Sequence, residues 1–170
     1  MMDQASETTP ADTGYQTVAE LLYVAKLTRA HVDIALRVAD LRVGQDELIC
    51  ALKVDAAMTN AEVADHLNIR SSTVSKTTDK LVAKGLVERV PLESDHRMIA
   101  LSLTPAGAET QALVREIWNG VEENLFGDLS ASETEEIREG LKLLDRLLRE
   151  RVAQFRRPLG QSISENDIQI

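Results

Sequence analysis

Between Thr59 and Pro105 the apolar period changes twice, and no other stretch of the chain narrows the possible folds as far. Thr59-Asn60-Ala61-Glu62 has the form of a capping box, in which the Thr59 hydroxyl takes the Glu62 amide and the Glu62 carboxylate reaches back. Val63, Ala64 and Leu67 then form one helical face. Asn68-Ile69-Arg70 is long enough only for a turn. Ser71-Ser72 offers the next cap, and a second helix is expected over Thr73–Lys84 with Val74, Thr78, Leu81 and Val82 inward. Gly85 follows where a left-handed residue ends a helix. From Leu86 the period drops to two. Leu86–Val90 and Met98–Leu103 read as a β-hairpin with Pro91–His96 as its polar tip. Thr104-Pro105 supplies the cap and first residue of another helix.

Short helix, three-residue turn, second helix and hairpin make a winged helix-turn-helix. Helical periods flank it. Val18, Leu22, Ala25, Val32, Ala35, Leu36, Ala39 and Val43 predict one helix from Tyr15 to Val43, about 43 Å long at 1.5 Å per residue. Gly44 breaks it, and Gln45–Lys53 is a short helix with Leu48, Ala51 and Leu52 inward. After Pro105 a helix runs to Phe126 with Ala108, Ala112, Leu113, Ile117, Val121 and Leu125 apolar. A second capping box, Ser130–Glu133, opens a last helix striped by Ile137, Leu141, Leu144, Leu148, Val152 and Phe155. The expected fold is mainly α with a small β-hairpin wing. Residues 45–104 form the winged lobe, and residues 14–44 and 105–157 form long dimerisation helices. Residues 1–13 are expected as a disordered tail and residues 158–170 as a flexible one.

Five aromatic residues in 170 leave the core to Leu, Val, Ile and Ala, and argue against single-strand or RNA binding by stacking. No apolar run approaches the ~18–20 residues of a membrane span. The start, MMDQASETT, lacks the basic and apolar regions of a secretory signal. Cys50 is the one cysteine, so no internal disulfide forms, which fits the cytoplasm. Three scattered histidines beside it cannot build a Cys-rich zinc site. No phosphate loop, nucleophile elbow or metal motif supports an enzyme, and nothing calls for a cofactor.

The net charge of −9 opposes phosphate binding on its face. Its distribution matters more: residues 1–52 carry net −4, residues 53–101 net 0 and residues 102–170 net −5. The winged lobe is the least acidic third. On the second motif helix, Ser71, Ser72, Thr73, Ser75, Lys76, Asp79 and Lys80 remain outward once the apolar positions are seated. Small hydroxyls permit close approach to a major groove, and lysines supply charge for phosphates.

The stretch VADHLNIRSSTVSKTTDKLVAKGLVERVPLESDHRMIALSLTPAG resembles the MarR family of bacterial winged-helix regulators. The likeness rests on A-D-H-L, S-S-T-V-S-K, K-G-L-V-E-R, and D-H-R followed by L-T-P-A-G. With the flanking helices it covers residues 15–157. Thr77-Thr78 departs from the bulkier aliphatic residues usual there. The resemblance implies a sequence-specific regulator of double-stranded DNA, a homodimeric repressor released from a near-palindromic operator by a small aromatic or phenolic effector. Arg70, Ser71, Ser72, Thr73, Ser75, Lys76 and Lys80 would meet the DNA. Arg97 would enter the minor groove from the wing. Asp95, two residues away on an extended strand, shares its face and can hold the guanidinium.

The outer helices carry more apolar surface than the lobe can cover, so two chains are expected to pair and present two recognition helices about one turn of DNA apart. Arg29 and His31 are the candidate effector contacts. Two alternatives stand beside this reading. One is a winged helix that binds protein, which the acidic total suggests. The other is redox sensing through Cys50, although relatives that sense peroxide carry their cysteine near the start of the first helix. A lysine and arginine face built from Lys53, Arg70, Lys76, Lys80, Lys84, Arg89 and Arg97 is what distinguishes DNA as the partner.

Overall fold

In the computed structural model, which describes residues 15–92 and 95–155, the helix-turn-helix and wing read from the sequence are present. The elements are α1 (Gln16–Leu36), α2 (Gln45–Ala51), β1 (Met58–Thr59), α3 (Asn60–Leu67), α4 (Ser71–Ala83), β2 (Val87–Leu92), β3 (Asp95–Leu103), α5 (Pro105–Phe126) and α6 (Ala131–Phe155). The expected tails, residues 1–13 and 158–170, lie outside the described residues, as does the Glu93-Ser94 tip. No helix among the described residues is long and apolar enough to cross a membrane.

Local chemistry sets most boundaries. The Thr59 hydroxyl accepts from the Glu62 amide at 3.2 Å, and the Glu62 carboxylate accepts from the Thr59 amide at 2.7 Å. The Thr59 amide first, and then the Thr59 hydroxyl, which donates to the same carboxylate at 2.8 Å, hold the Glu62 carboxyl below its ordinary range. Three left-handed residues end helical segments in the same way. Asp40, Asn68 and Gly85 have φ of 52°, 55° and 69°. After each, the next amide reaches back five residues: Leu41 to the Leu36 carbonyl at 3.2 Å, Ile69 to Ala64 at 3.0 Å, and Leu86 to Leu81 at 3.0 Å. This is the Schellman closure, which satisfies carbonyls left open at a helix end.

The first of these closures corrects the expectation of one helix from Tyr15 to Val43. α1 stops at Leu36, a 3-10 turn spans Arg37–Ala39, and Asp40 turns the chain. The cause is burial: Leu36 and Leu41 are both driven into the core, which an unbroken helix would not allow. Gln45–Lys53 likewise ends early, at Ala51.

The wing is larger than a hairpin. Met58 and Thr59 pair with Leu101 and Ala100, giving an antiparallel sheet of order β1-β3-β2. The strands run through the expected tip to Leu92 and from Asp95. The register is regular from Val87↔Leu103 to Pro91↔Ile99, then steps to Leu92↔Asp95. His96–Met98 therefore bulge from β3, a device that re-aims side chains.

The lobe core joins Leu36, Leu41, Leu48, Ile49, Val63, Val74, Leu81, Leu101 and Val114. α5 enters it by a face only partly expected from its apolar pattern: Val121 is buried and Ile117 packs on the core as expected, but Gly107, Gln111 and Val114 are buried as well, while Leu113 and Leu125 are exposed. The buried Gln111 amide donates to the Ile49 and Leu52 carbonyls, both at 2.8 Å, and so closes the end of α2. The indole of Trp118 donates to the buried Asp46 carboxylate at 3.1 Å. At the start of α5, Gly107 lies so close to the backbone of Leu86 that a Cβ would overlap the carbonyl oxygen.

The chain divides into two compact units after Asn124. The second holds α6, opened by the Ser130 hydroxyl on the Glu133 amide at 3.3 Å. Ion pairs Glu135–Arg138, Glu139–Lys142 and Asp145–Arg149 run along it. Its Ile137, Leu141, Leu148 and Val152 are exposed.

Candidate nucleic-acid interface

α4 divides cleanly between two faces. Val74, Thr78 and Leu81 are fully buried at helical spacing, and Ser72, Lys76 and Lys80, each four residues on from the last, line the exposed side. Ser71 and Thr73 are also exposed, and Ser75 is half-buried. Ser71 and Ser72 do not cap the helix, as the sequence had suggested. The cap position is Arg70, in extended backbone and without a side-chain cap bond, so both serines lie in the first turn. Both are exposed there, at a helix N-terminus, whose polarity suits an anion.

The seating of α4 contains an oddity that the sequence flagged. Thr78 occupies a core position, and its hydroxyl has no hydrogen-bond partner. A buried hydroxyl left unpaired costs about 1–3 kcal/mol relative to a paired one.

Arg89 and Lys84, both of the expected cationic face, are engaged within the protein. The Arg89 guanidinium, from β2, donates to the Asp79 carboxylate of α4 at 2.5 Å, which ties wing to helix and neutralises an acid beside Lys76 and Lys80. The Lys84 ammonium turns away from the Lys76 stripe to Asp40, donating to its carboxylate at 2.9 Å and also to its carbonyl. That bond, with the lysine charge behind it, holds the Asp40 carboxyl below its ordinary range. Arg70, Lys76 and Lys80 are exposed, as are Lys53 on the α2–β1 connection and Arg97 in the β3 bulge. The Asp95 side chain lies outside the described residues, so its expected grip on Arg97 does too.

An open groove of about 660 Å³ runs along α1, lined by Leu22, Ala25, Lys26, Arg29, Ala30, Asp33 and Val43. It includes one expected effector contact, Arg29, and adds Lys26; His31 is half-buried and is not among the lining residues. Asp33 holds Arg42 at 3.3 Å and Arg37 at 3.8 Å. Lys26 was open to sequence reasoning, since it stands one helical turn before Arg29. Cys50 is half-buried on α2, and burial pushes its thiol pKa up, against the opposing pull of Arg115. A raised pKa keeps the neutral thiol, the unreactive form.

Residues 44–99 match the model of the MarR family. The multiple antibiotic resistance protein MarR of Escherichia coli strain K12 is 32% identical over 69 residues, which are 41% of this chain and 48% of that protein. The chain thus spans about half the length of the curated relatives it matches. Among solved structures, a mutant Escherichia coli MarR complexed with operator DNA superposes with a TM-score of 0.69 at 23% identity, over 79% of this chain and 99% of that one. CouR from Rhodococcus jostii RHA1, bound to p-coumaroyl-CoA, gives a TM-score of 0.62 at 21% identity, over 75% and 90% of the two chains. At such identities the likeness is one of fold.

Proposed function

We propose that this chain, which carries a MarR-family winged helix-turn-helix, is a DNA-binding transcriptional regulator of the cytoplasm: a homodimeric repressor released from a near-palindromic operator by a small aromatic effector. The observation that carries the reading is the two-faced helix α4. Its buried face is anchored by Val74, Thr78 and Leu81, and its outer face presents Ser71, Ser72, Thr73, Lys76 and Lys80 with no apolar side chain among them. Such a surface suits phosphates and base edges and has nothing to offer an apolar protein groove. Ser75, half-buried, stands at its margin. Arg70 opens the same helix, and Arg97 adds a further cation from the wing, with Asp95 as its holder.

The same reading assigns the other surfaces. The exposed Val18, Leu22, Tyr23 and Leu27 of α1 and the open stripe of α6 meet a second copy of the chain. The groove along α1, with Lys26 and Arg29 over aliphatic walls, receives an anionic aromatic effector. His31 is a weaker candidate than Lys26 for that contact.

The test is titration of the full chain onto duplex DNA from the flank of its own gene. With about 6–10 phosphates contacted, affinity is expected to fall ~10³–10⁵-fold between 50 and 200 mM salt. Arg97→Ala is expected to weaken binding, with the melting temperature nearly unchanged, since exposed ion pairs add only ~0–1 kcal/mol to folding. A wild-type protein with no affinity for any duplex at low salt overturns the reading in favour of a protein-binding winged helix.

A further inference from the structure

Lys84 stands at the C-terminal end of α4, where a cation ordinarily points to solvent or, in a DNA-binding helix, to phosphate. Here it does neither. Its ammonium bridges 44 positions of sequence to Asp40, taking both the carboxylate at 2.9 Å and the main-chain carbonyl. The lysine side chain is only 30% exposed, whereas the Asp40 carboxylate is 97% exposed. Asp40 is a fixed post. Its left-handed backbone is closed onto the Leu36 and Arg37 carbonyls, and Leu36 and Leu41 on either side are buried. Lys84 is equally fixed, because Gly85 and Leu86 close the end of α4 and the Thr104 hydroxyl donates to the Gly85 carbonyl at 2.7 Å.

We infer that Lys84 is a positioning residue for DNA binding: its clasp on Asp40 ties the end of the recognition helix to the turn that closes α1. The inference rests on the DNA-binding reading above. It departs from the simpler expectation that Lys84 is one more phosphate contact, and it gives Asp40, an acid, a role that favours binding DNA. The turn it grips also carries Arg37 and Arg42, which hold Asp33 of the α1 groove, so the clasp joins the recognition helix to the element that lines that groove.

Full-length wild type, Lys84→Met, Lys84→Arg, Asp40→Gly and the Lys84→Met/Asp40→Gly double variant are titrated onto one duplex at several salt concentrations, alongside thermal melts. Glycine suits the left-handed backbone at position 40, so Asp40→Gly keeps the turn. Lys84→Met is expected to weaken binding about threefold to tenfold, within the range of exposed to partly buried ion pairs. Asp40→Gly weakens it in the same direction, although loss of a negative charge alone would tighten it. The double variant binds no worse than Lys84→Met, the signature of a shared interaction. Lys84→Arg, which keeps donors for both acceptors, restores binding. The slope of log affinity against log salt stays that of wild type.

A slope reduced by about 1.8 in Lys84→Met, about 0.9 for each subunit of the dimer, would mean a lost phosphate contact and overturn the clasp. Unchanged or tighter binding by Asp40→Gly would overturn it as well, as would additive losses in the double variant. Lower melting temperatures with unchanged affinity would reduce the pair to a prop of the fold. Failure of wild type to bind any duplex would instead bring down the DNA reading, and the clasp with it.

Discussion

α1 and the winged lobe are built from similar aliphatic residues, yet they treat them oppositely. Along the 21 residues of α1 only Leu36 is buried, and Leu22 is 66% exposed. In the lobe, α4 buries Val74 and Leu81 fully and Val82 in part, and the sheet and α5 close over the same centre. The lobe completes its core within one chain. α1 carries apolar side chains that nothing in its own unit covers. Apolar content alone therefore does not locate a core; what matters is whether the turns bring a second surface to each apolar face.

That contrast is most severely tested by a glycine pair on α5. Gly107→Ala drives a methyl group into the Leu86 carbonyl, where backbone must move. It is expected to cost about 3 kcal/mol or more in chemical denaturation, at the upper end of overpacking. Gly120 on the same helix has open space around its Cβ position, so Gly120→Ala is expected to gain about 0.5–1 kcal/mol by helix propensity. Equal effects at the two sites would mean that α5 does not dock as described.

Next in size is a leucine pair. Leu81→Ala, in the lobe, is expected to lose about 2–5 kcal/mol of folding stability. Leu22→Ala, on α1, is expected to change folding by less than about 0.5 kcal/mol in a dilute monomer, while weakening self-association measured by sedimentation. A large folding loss from Leu22→Ala at monomer concentrations would show that α1 is covered within its own chain.

The smallest effect concerns the orphaned hydroxyl of α4. Thr78→Val replaces it with a methyl group of similar shape and is expected to raise stability by about 1 kcal/mol in thermal melts. A loss of stability there would reveal a partner for that hydroxyl.

How much of this was legible in the sequence follows from distance along the chain. The capping boxes at Thr59 and Ser130, the Thr104 cap and the glycine after α4 all act within a few residues, and each forms as read. The break after Leu36 was invisible because Asp40 takes a left-handed backbone with no glycine or proline to mark it. β1 is two residues long and exists only through its pairing with Ala100 and Leu101. Nothing local marks Gln111 and Asp46 for burial, since their partners lie 59 to 72 positions away. At the candidate interface, the outward face of α4 was legible from periodicity. The diversion of Lys84 and Arg89 to acids on other elements was not.

The hydrogen bond between Trp118 and Asp46 has an optical consequence. Trp118 is the one tryptophan in the chain, half-buried on α5, with its indole held by the first turn of α2. Its emission spectrum therefore reports a single joint of the molecule. Loosening of α2 from α5 should shift that emission to the red, whereas fraying at the start of α1 should leave it in place. Fluorescence excited at the indole band thus follows the lobe alone, free of any label, while circular dichroism follows every helix at once.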